Sequence, residues 1–202
     1  MADHIVKDIA ELEAIYGQPG TASLIKVADH LPPLYAKWIM ASRLCVVSTV
    51  GTEGTDGSPR GDNGPVVRIK DPKTLLLPDW RGNNRMDTLR NIVADGRISL
   101  MFIVAGSNNV MRVNGKAVVS VKPDLLGQFD QRGRQPRSVV VITVAEVYSQ
   151  CARALMRAKV WASEDESADL PTVGELLAEQ EEGFDGVEYD AAWGARAART
   201  MW

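Results

Sequence analysis

Apolar positions in this chain change period near Arg43. Before it, Ile5, Ile9, Leu12 and Tyr16 share one helical face, which predicts an amphipathic helix over 4–16 with Asp3 as its cap and Gly17 as its stop. Residues 22–30 add a second short helical stretch that Pro32 and Pro33 interrupt, and Leu34–Ser42 predicts a third helix. After Arg43, β-branched runs take over. Leu44–Val50 reads as a strand, and Gly51–Gly57 as a loop rich in turn residues. Further strands are predicted at 64–69, 74–78, 97–104, 110–121 and 138–148, with Asp71-Pro72-Lys73 as a tight hairpin connection. Six strands with one clear helix among them predict a mainly β protein, an antiparallel barrel and not a βαβ sheet.

The remaining segments are peripheral. Leu125–Arg137 is a polar, basic connection. Helices are predicted over 150–159 and over 172–182, the latter between Pro171 and Gly183, and the tail beyond carries Trp193 and Trp202. The chain is read as a single domain over 1–202. It has a helical N-terminal extension (1–37), a barrel core (about 38–150) and a helical, acidic C-terminal tail (150–202).

Composition adds one asymmetry. The net charge is −3, yet Ser58–Arg137 holds 14 Lys and Arg against 7 Asp and Glu, while 163–190 holds 11 acids and no Lys or Arg. The middle of the chain therefore suits an anionic ligand. Segregated charge on solvated faces is the alternative. The basic residues stand singly between apolar ones, so no nucleic-acid partner is expected. No stretch approaches the roughly 18 apolar residues of a membrane helix and no secretory leader pattern opens the sequence, so a cytoplasmic protein without membrane contact is expected. Cys45 and Cys151 are expected to be two buried thiols.

The most informative run is Leu77-Pro78-Asp79-Trp80-Arg81-Gly82-Asn83-Asn84-Arg85-Met86. It reads as a strand that ends in a turn and opens a helix, with Asn83 and Asn84 as N-caps and Met86, Leu89 and Ile92 at helical spacing. Arg85 then falls in the first helical turn, where the dipole disfavours a cation unless an anion binds there too. A phosphate site is the expectation. Arg60-Gly61-Asp62 precedes the 64–69 strand. Arg60 can reach a phosphate or a ring edge, Gly61 allows close backbone approach, and Asp62 can accept from a hydroxyl or orient Arg60; a turn with a local Arg–Asp pair is the alternative. Arg112 alternates with apolar neighbours, so it faces solvent or a cleft. Arg153 and Arg157 share a helical face ahead of Trp161. The only histidines, His4 and His30, lie in the N-terminal region. No metal-ligand cluster, nucleophile elbow or phosphate-binding glycine loop is present in the sequence. Such a chain suits chemistry carried by a cofactor; no catalytic side chain is assigned.

Four segments in order, Ser58–Asp62 (S-P-R-G-D), Pro78–Arg85 (P-D-W-R-G-N-N-R), Met111–Ala117 (M-R-V-N-G-K-A) and Cys151–Trp161 (C-A-R-A-L-M-R-A-K-V-W), give a specific resemblance over about Trp38–Gln180. The chain resembles the pyridoxamine 5′-phosphate oxidase-related, FMN-binding split-barrel family. The resemblance implies a six-stranded antiparallel split β-barrel with N- and C-terminal helices. It implies a homodimer with FMN in each of two interface clefts. In such folds Arg60, Gly61, Asp62, Leu77, Pro78 and Asp79 line the flavin, Asn83, Asn84 and Arg85 take its phosphate, Arg112 lies nearby, and Trp161 comes from the other subunit. The implied activity is an FMN-dependent oxidoreductase of unknown substrate, with hydride transfer at flavin N5. The alternatives are a non-catalytic flavin or deazaflavin protein for sensing or storage, and haem, which the absence of histidine from the barrel strands disfavours. The chain departs from the family pattern at Gln150, where a histidine is usual, and at Met111, where leucine is common. It also lacks the C-terminal Arg-x-His substrate motif, so vitamin B6 oxidation is not implied.

Overall fold

The structure, a computed structural model, describes residues 4–131, 133–162 and 164–201. In chain order it runs α1 (Ile9–Tyr16), α2 (Thr21–Ile25), α3 (Pro33–Met40), β1 (Leu44–Gly51), β2 (Gly54–Gly61), β3 (Arg68–Asp71), β4 (Thr74–Asp79), α4 (Asp87–Ala94), β5 (Arg97–Ile103), β6 (Val110–Ser120), α5 (Pro123–Leu126), β7 (Ser138–Gln150), α6 (Arg153–Arg157), α7 (Val173–Gln180), α8 (Gly186–Ala191) and α9 (Trp193–Thr200). All the strand pairs are antiparallel, in the order β2-β1-β5-β6-β7-β4-β3.

Period-2 burial explains why the long strands form. In β1 the buried positions Cys45, Val47 and Thr49 alternate with more exposed ones, and in β5 Ile98, Leu100 and Phe102 do the same. These side chains meet Val113, Ile142, Val144 and Val147 from β6 and β7, Leu75 and Leu77 from β4, and Ile39 and Ile92 from the flanking helices, in one apolar core. Leu76, Val139 and Phe129 form a smaller cluster on the other face, with Trp80 packed against it. The β3–β4 hairpin across Asp71-Pro72-Lys73 is as expected.

Among the described residues seven strands stand where six were expected. The additional one is β2, whose sequence GTDGSPRG lies partly in the expected 51–57 loop. Its composition disfavours a strand, but β1 offers it an unbroken ladder from Leu44↔Gly61 to Gly51↔Gly54. Proline is tolerated because β2 is an edge strand. The 64–69 strand is shorter and begins at Arg68.

Helix boundaries also moved. The first helix starts at Ile9 with Asp8 as its cap, its carboxylate accepting from the Glu11 N–H. The expected cap, Asp3, lies outside the described residues, as does Trp202. Gly17 ends the helix with φ +69°, a conformation that favours glycine. The second helix is only Thr21–Ile25. The 150–159 segment continues β7 to Gln150 before a short helix at Arg153–Arg157. Thr172 and Glu175 form a reciprocal capping box on α7. Cys45 is buried as expected, but Cys151 is exposed and both thiols are free, because β7 ends at the residue before Cys151. No helix among the described residues is long and apolar enough to cross a membrane.

Candidate functional site

A cleft of about 780 Å³ opens where the end of β2, the end of β4 and the β4–α4 connection meet. That size suits a small-molecule site. Two sequence-distant segments supply most of it, 59–63 and 77–86, joined by Val66, Leu89, Arg137, Ser138 and Met201. Nine of the expected residues line it: Arg60, Gly61, Asp62, Leu77, Pro78, Asp79, Asn83, Asn84 and Arg85.

Strand pairing explains how these side chains converge. Arg60 pairs with Cys45, which pairs with Phe102, and both of those are buried. In-register partners share a face, so Arg60 projects on the core side, at the barrel's open edge. There its guanidinium lies 3.8 Å from the Asp79 carboxylate. Burial pushes the Asp79 pKa up, while Arg60 and Arg137 pull it back. Burial also drives the Cys45 thiol up to about 12, against the opposing field of Arg60. A thiol held there is inert at neutral pH.

Asp62 does not orient Arg60. Its carboxylate accepts from Trp80 Nε1 at 3.0 Å and from Gln131 Nε2 at 3.0 Å. Its backbone N–H is spent on the Arg43 carbonyl. At Gly61 a side chain would meet only the Arg43 carbonyl oxygen, at 3.7 Å, so internal packing does not demand glycine there.

The 81–86 turn differs from the expected cap. Helix α4 begins at Asp87 with Met86 as its N-cap and no side-chain cap bond, so Asn83 and Asn84 do not cap it and Arg85 lies outside its first turn. The asparagines shape the turn instead. Asn83 Oδ1 accepts from the Arg85 N–H at 3.0 Å, and Asn84 sits at φ +61°, a left-handed position that asparagine tolerates. Asn84 Oδ1 accepts from Arg137 Nη1 at 2.7 Å. Arg85 pairs with Asp87 at 3.0 Å and is largely exposed. The result is a polar loop with two arginines, at a strand-to-helix junction whose helix supplies no cap of its own.

Arg112 and Trp161 do not line this cleft. Arg112 pairs with Met101 and Tyr148, one position off the buried row through Met111, so it projects from the outer face. Its guanidinium stands 5.4 Å from the centre of the Tyr148 ring and donates to Gln150 Oε1 at 3.3 Å. Trp161 Nε1 donates to the Ser107 carbonyl at 2.8 Å. Sequence reasoning missed Trp80 and Arg137 in the lining of the cleft, and Gln131 as a partner of Asp62. Arg137 was nevertheless findable, since it directly adjoins the strand predicted at 138–148; Trp80 stands two residues past the strand predicted at 74–78, which in the structure extends to Asp79 and pairs there with Ser138.

Comparison with curated proteins finds no match. Among solved structures, a histidine-to-alanine variant of HupZ from Group A Streptococcus is 20% identical and covers 59% of this chain and 99% of its own, with a TM-score of 0.50. General Stress Protein 26 from Bacillus anthracis is 14% identical over 56% of this chain and 88% of its own, with a TM-score of 0.43. The FAD binding protein from Mycobacterium smegmatis is 12% identical over 61% and 97%, with a TM-score of 0.42. At such identities the likeness to HupZ is one of fold. The family model for pyridoxamine 5′-phosphate oxidase matches residues 31–151, which takes in every barrel strand and the cleft segments. This chain therefore belongs to the pyridoxamine 5′-phosphate oxidase family.

Proposed function

We propose that this protein binds FMN in the cleft between β2, β4 and the 81–86 turn, and acts as an oxidoreductase on a substrate still to be identified. The observation that carries the reading is the convergence of 59–63, 77–86 and Arg137 on one basic cleft in a chain of this family. The residues fit a phosphorylated, ring-bearing ligand. Arg85 and Arg137 offer charged donors to a phosphate. The Asn83–Asn84 turn, exposed and outside both the sheet and α4, leaves backbone N–H groups free to turn toward the same anion. Leu77 and Pro78 present an apolar wall to a ring, and Arg60 places positive charge beside it. When bound, FMN supplies a hydride acceptor at N5. The protein's own part is to bind, orient and hold charge: Asp62 stays fixed by Trp80 and Gln131, and Asp79 balances Arg60.

The proposal includes a homodimer. The outer-face row of Met101, Arg112 and Tyr148, together with Trp161, stands away from its own chain's cleft. A second chain covering that face would bring Arg112 and Trp161 to the partner's flavin. Purified protein should be yellow, or become so on adding FMN, with one flavin per chain. A colourless protein that leaves FMN fluorescence unchanged sinks the reading.

A second reading is favoured by one feature of the cleft. Among the described residues that line it, only Asp62 and Asp79 can exchange protons below the arginine range, and Asp62 already accepts from three donors, the Asn63 N–H among them. A flavin or deazaflavin carrier, sensor or store without turnover would need no more. Repeated reduction by NADH or NADPH followed by reoxidation supports the enzyme; bound flavin that no reductant turns over supports the carrier.

A further inference from the structure

One residue of the cleft wall comes from neither the barrel nor its connections. Met201 lines the cleft from just beyond α9, more than sixty positions after the next lining residue in sequence, Ser138. The helices behind it form a unit of their own. Gly174 of α7 and Gly186 of α8 touch so closely that a Cβ on either would strike the other's carbonyl oxygen. Asp190 Oδ1 accepts from the Gly174 N–H at 2.9 Å. Arg196 of α9 stacks on Tyr189 and Trp193, at 4.2 and 5.3 Å from the ring centres. No strand is among the elements this unit packs against extensively.

Its seat on the barrel is specific nonetheless. Arg134 Nη1 donates to the Arg199 carbonyl at 3.0 Å. Arg134 belongs to a tight turn closed by reciprocal backbone bonds with Gln131, and the Gln131 side chain holds Asp62 inside the cleft. One turn thus grips the cleft wall with one side chain and the C-terminal helix with another.

We propose that α7–α9 are a cover for the cleft, clipped on by Arg134, and that Met201 is the cover's contact with whatever occupies the site. Methionine suits that position. Its flexible thioether packs against a flat aromatic ring in more than one orientation. An exposed arginine bonded to a backbone carbonyl makes a clip that can release, and the sheet keeps its own core when it does. The residence time of an occupant is then set partly by Arg134. The ligand contact rests on the flavin reading; the seating of the cover does not.

The test separates the two. In full-length protein with Cys151→Ser, the paired substitutions Met86→Cys and Met201→Cys place one thiol on the β4–α4 connection and one on the tail where both line the cleft, and Cys45 is buried. A short bismaleimide should link them within one chain without any ligand. Adding Arg134→Ala should slow that link at least fivefold, and Arg134→Lys, which keeps a charged donor, should restore it. Equal linking rates in all three proteins overturn the clip. With native cysteines and methionines, Arg134→Ala should raise the FMN dissociation rate at least fivefold, and Met201→Ala should do the same. Unchanged dissociation overturns the cover even if linking slows. Failure of the parent protein to bind FMN counts against the flavin reading alone, because the linking rates still decide where the tail sits.

Discussion

At the residue scale, the cleft divides its arginines by partner. Arg60 lies 3.8 Å from the Asp79 carboxylate and Arg85 3.0 Å from that of Asp87, whereas Arg137 donates to the neutral side chain of Asn84 and acts on Asp79 only through its field. An arginine facing a neutral acceptor keeps more of its charge for a ligand than one already beside a carboxylate. Arg137→Ala should therefore cost FMN roughly 1.5–3 kcal/mol of binding energy, the range for a hydrogen bond to a charged group. Arg85→Ala should cost less, because Asp87 already occupies part of that guanidinium. Riboflavin, which lacks the phosphate, should bind both variants as it binds the parent. Fluorescence titration of the two flavins checks this, and equal losses for both flavins would move the arginines away from the phosphate. Asp79 gives a pH signature. Its folded-state pKa is raised by burial, so the folded protein holds the proton to higher pH than the unfolded chain does. Stability from this group is full below its unfolded value and is lost as pH rises through the folded one. Asp79→Asn abolishes that loss. Chemical denaturation of variant and parent at acidic and neutral pH should show the variant gaining on the parent as pH rises.

At the element scale, the sheet depends on a close approach that only glycine permits. β6 changes register against β7 between Asn114 and Gly115, and a Cβ on Gly115 would lie 2.1 Å from the Thr143 carbonyl oxygen. Gly115→Ala should destabilise the fold by about 2–3 kcal/mol through overpacking. Gly64→Ala, with nothing within 4 Å, should have a far smaller effect. A denaturant series on the two variants settles it. Legibility in the sequence followed the same division. Strands that alternate buried and exposed side chains, such as β1 and β5, could be read from period alone. β2 could not, because what holds GTDGSPRG extended is its neighbour's ladder and not its own side chains. The 77–86 segment was readable as a strand-to-helix junction, but its asparagines were mistaken for caps. Local propensity favours Asn at N-caps, whereas here the left-handed Asn84 and its bond to distant Arg137 use the same side chains to shape the turn. Contacts across long sequence separations, such as Gln131 to Asp62, leave no periodic trace.

At the scale of the whole molecule, nine of the eleven expected site residues share one cleft, and the two that do not, Arg112 and Trp161, lie outside it on the same chain. The proposed homodimer accounts for this if each cleft takes Arg112 and Trp161 from the other chain. That arrangement has a consequence that no single-chain site shares. Let one chain carry Arg137→Ala and the other Arg112→Ala, and isolate the mixed dimer through two different tags. With shared sites, one cleft of the mixed dimer receives both lesions and the other receives neither. Half of the sites should then bind FMN with the parent's affinity and half should bind far more weakly. If Arg112 served its own chain's cleft, each cleft of the mixed dimer would carry exactly one lesion, and no site would show parental affinity. If Arg112 served no cleft, one site would be parental and the other would match the Arg137→Ala homodimer, while the Arg112→Ala homodimer would bind normally. A two-phase titration therefore separates an own-chain Arg112 from the other two geometries by stoichiometry, and the affinities of the two homodimers separate a shared Arg112 from one that serves no cleft.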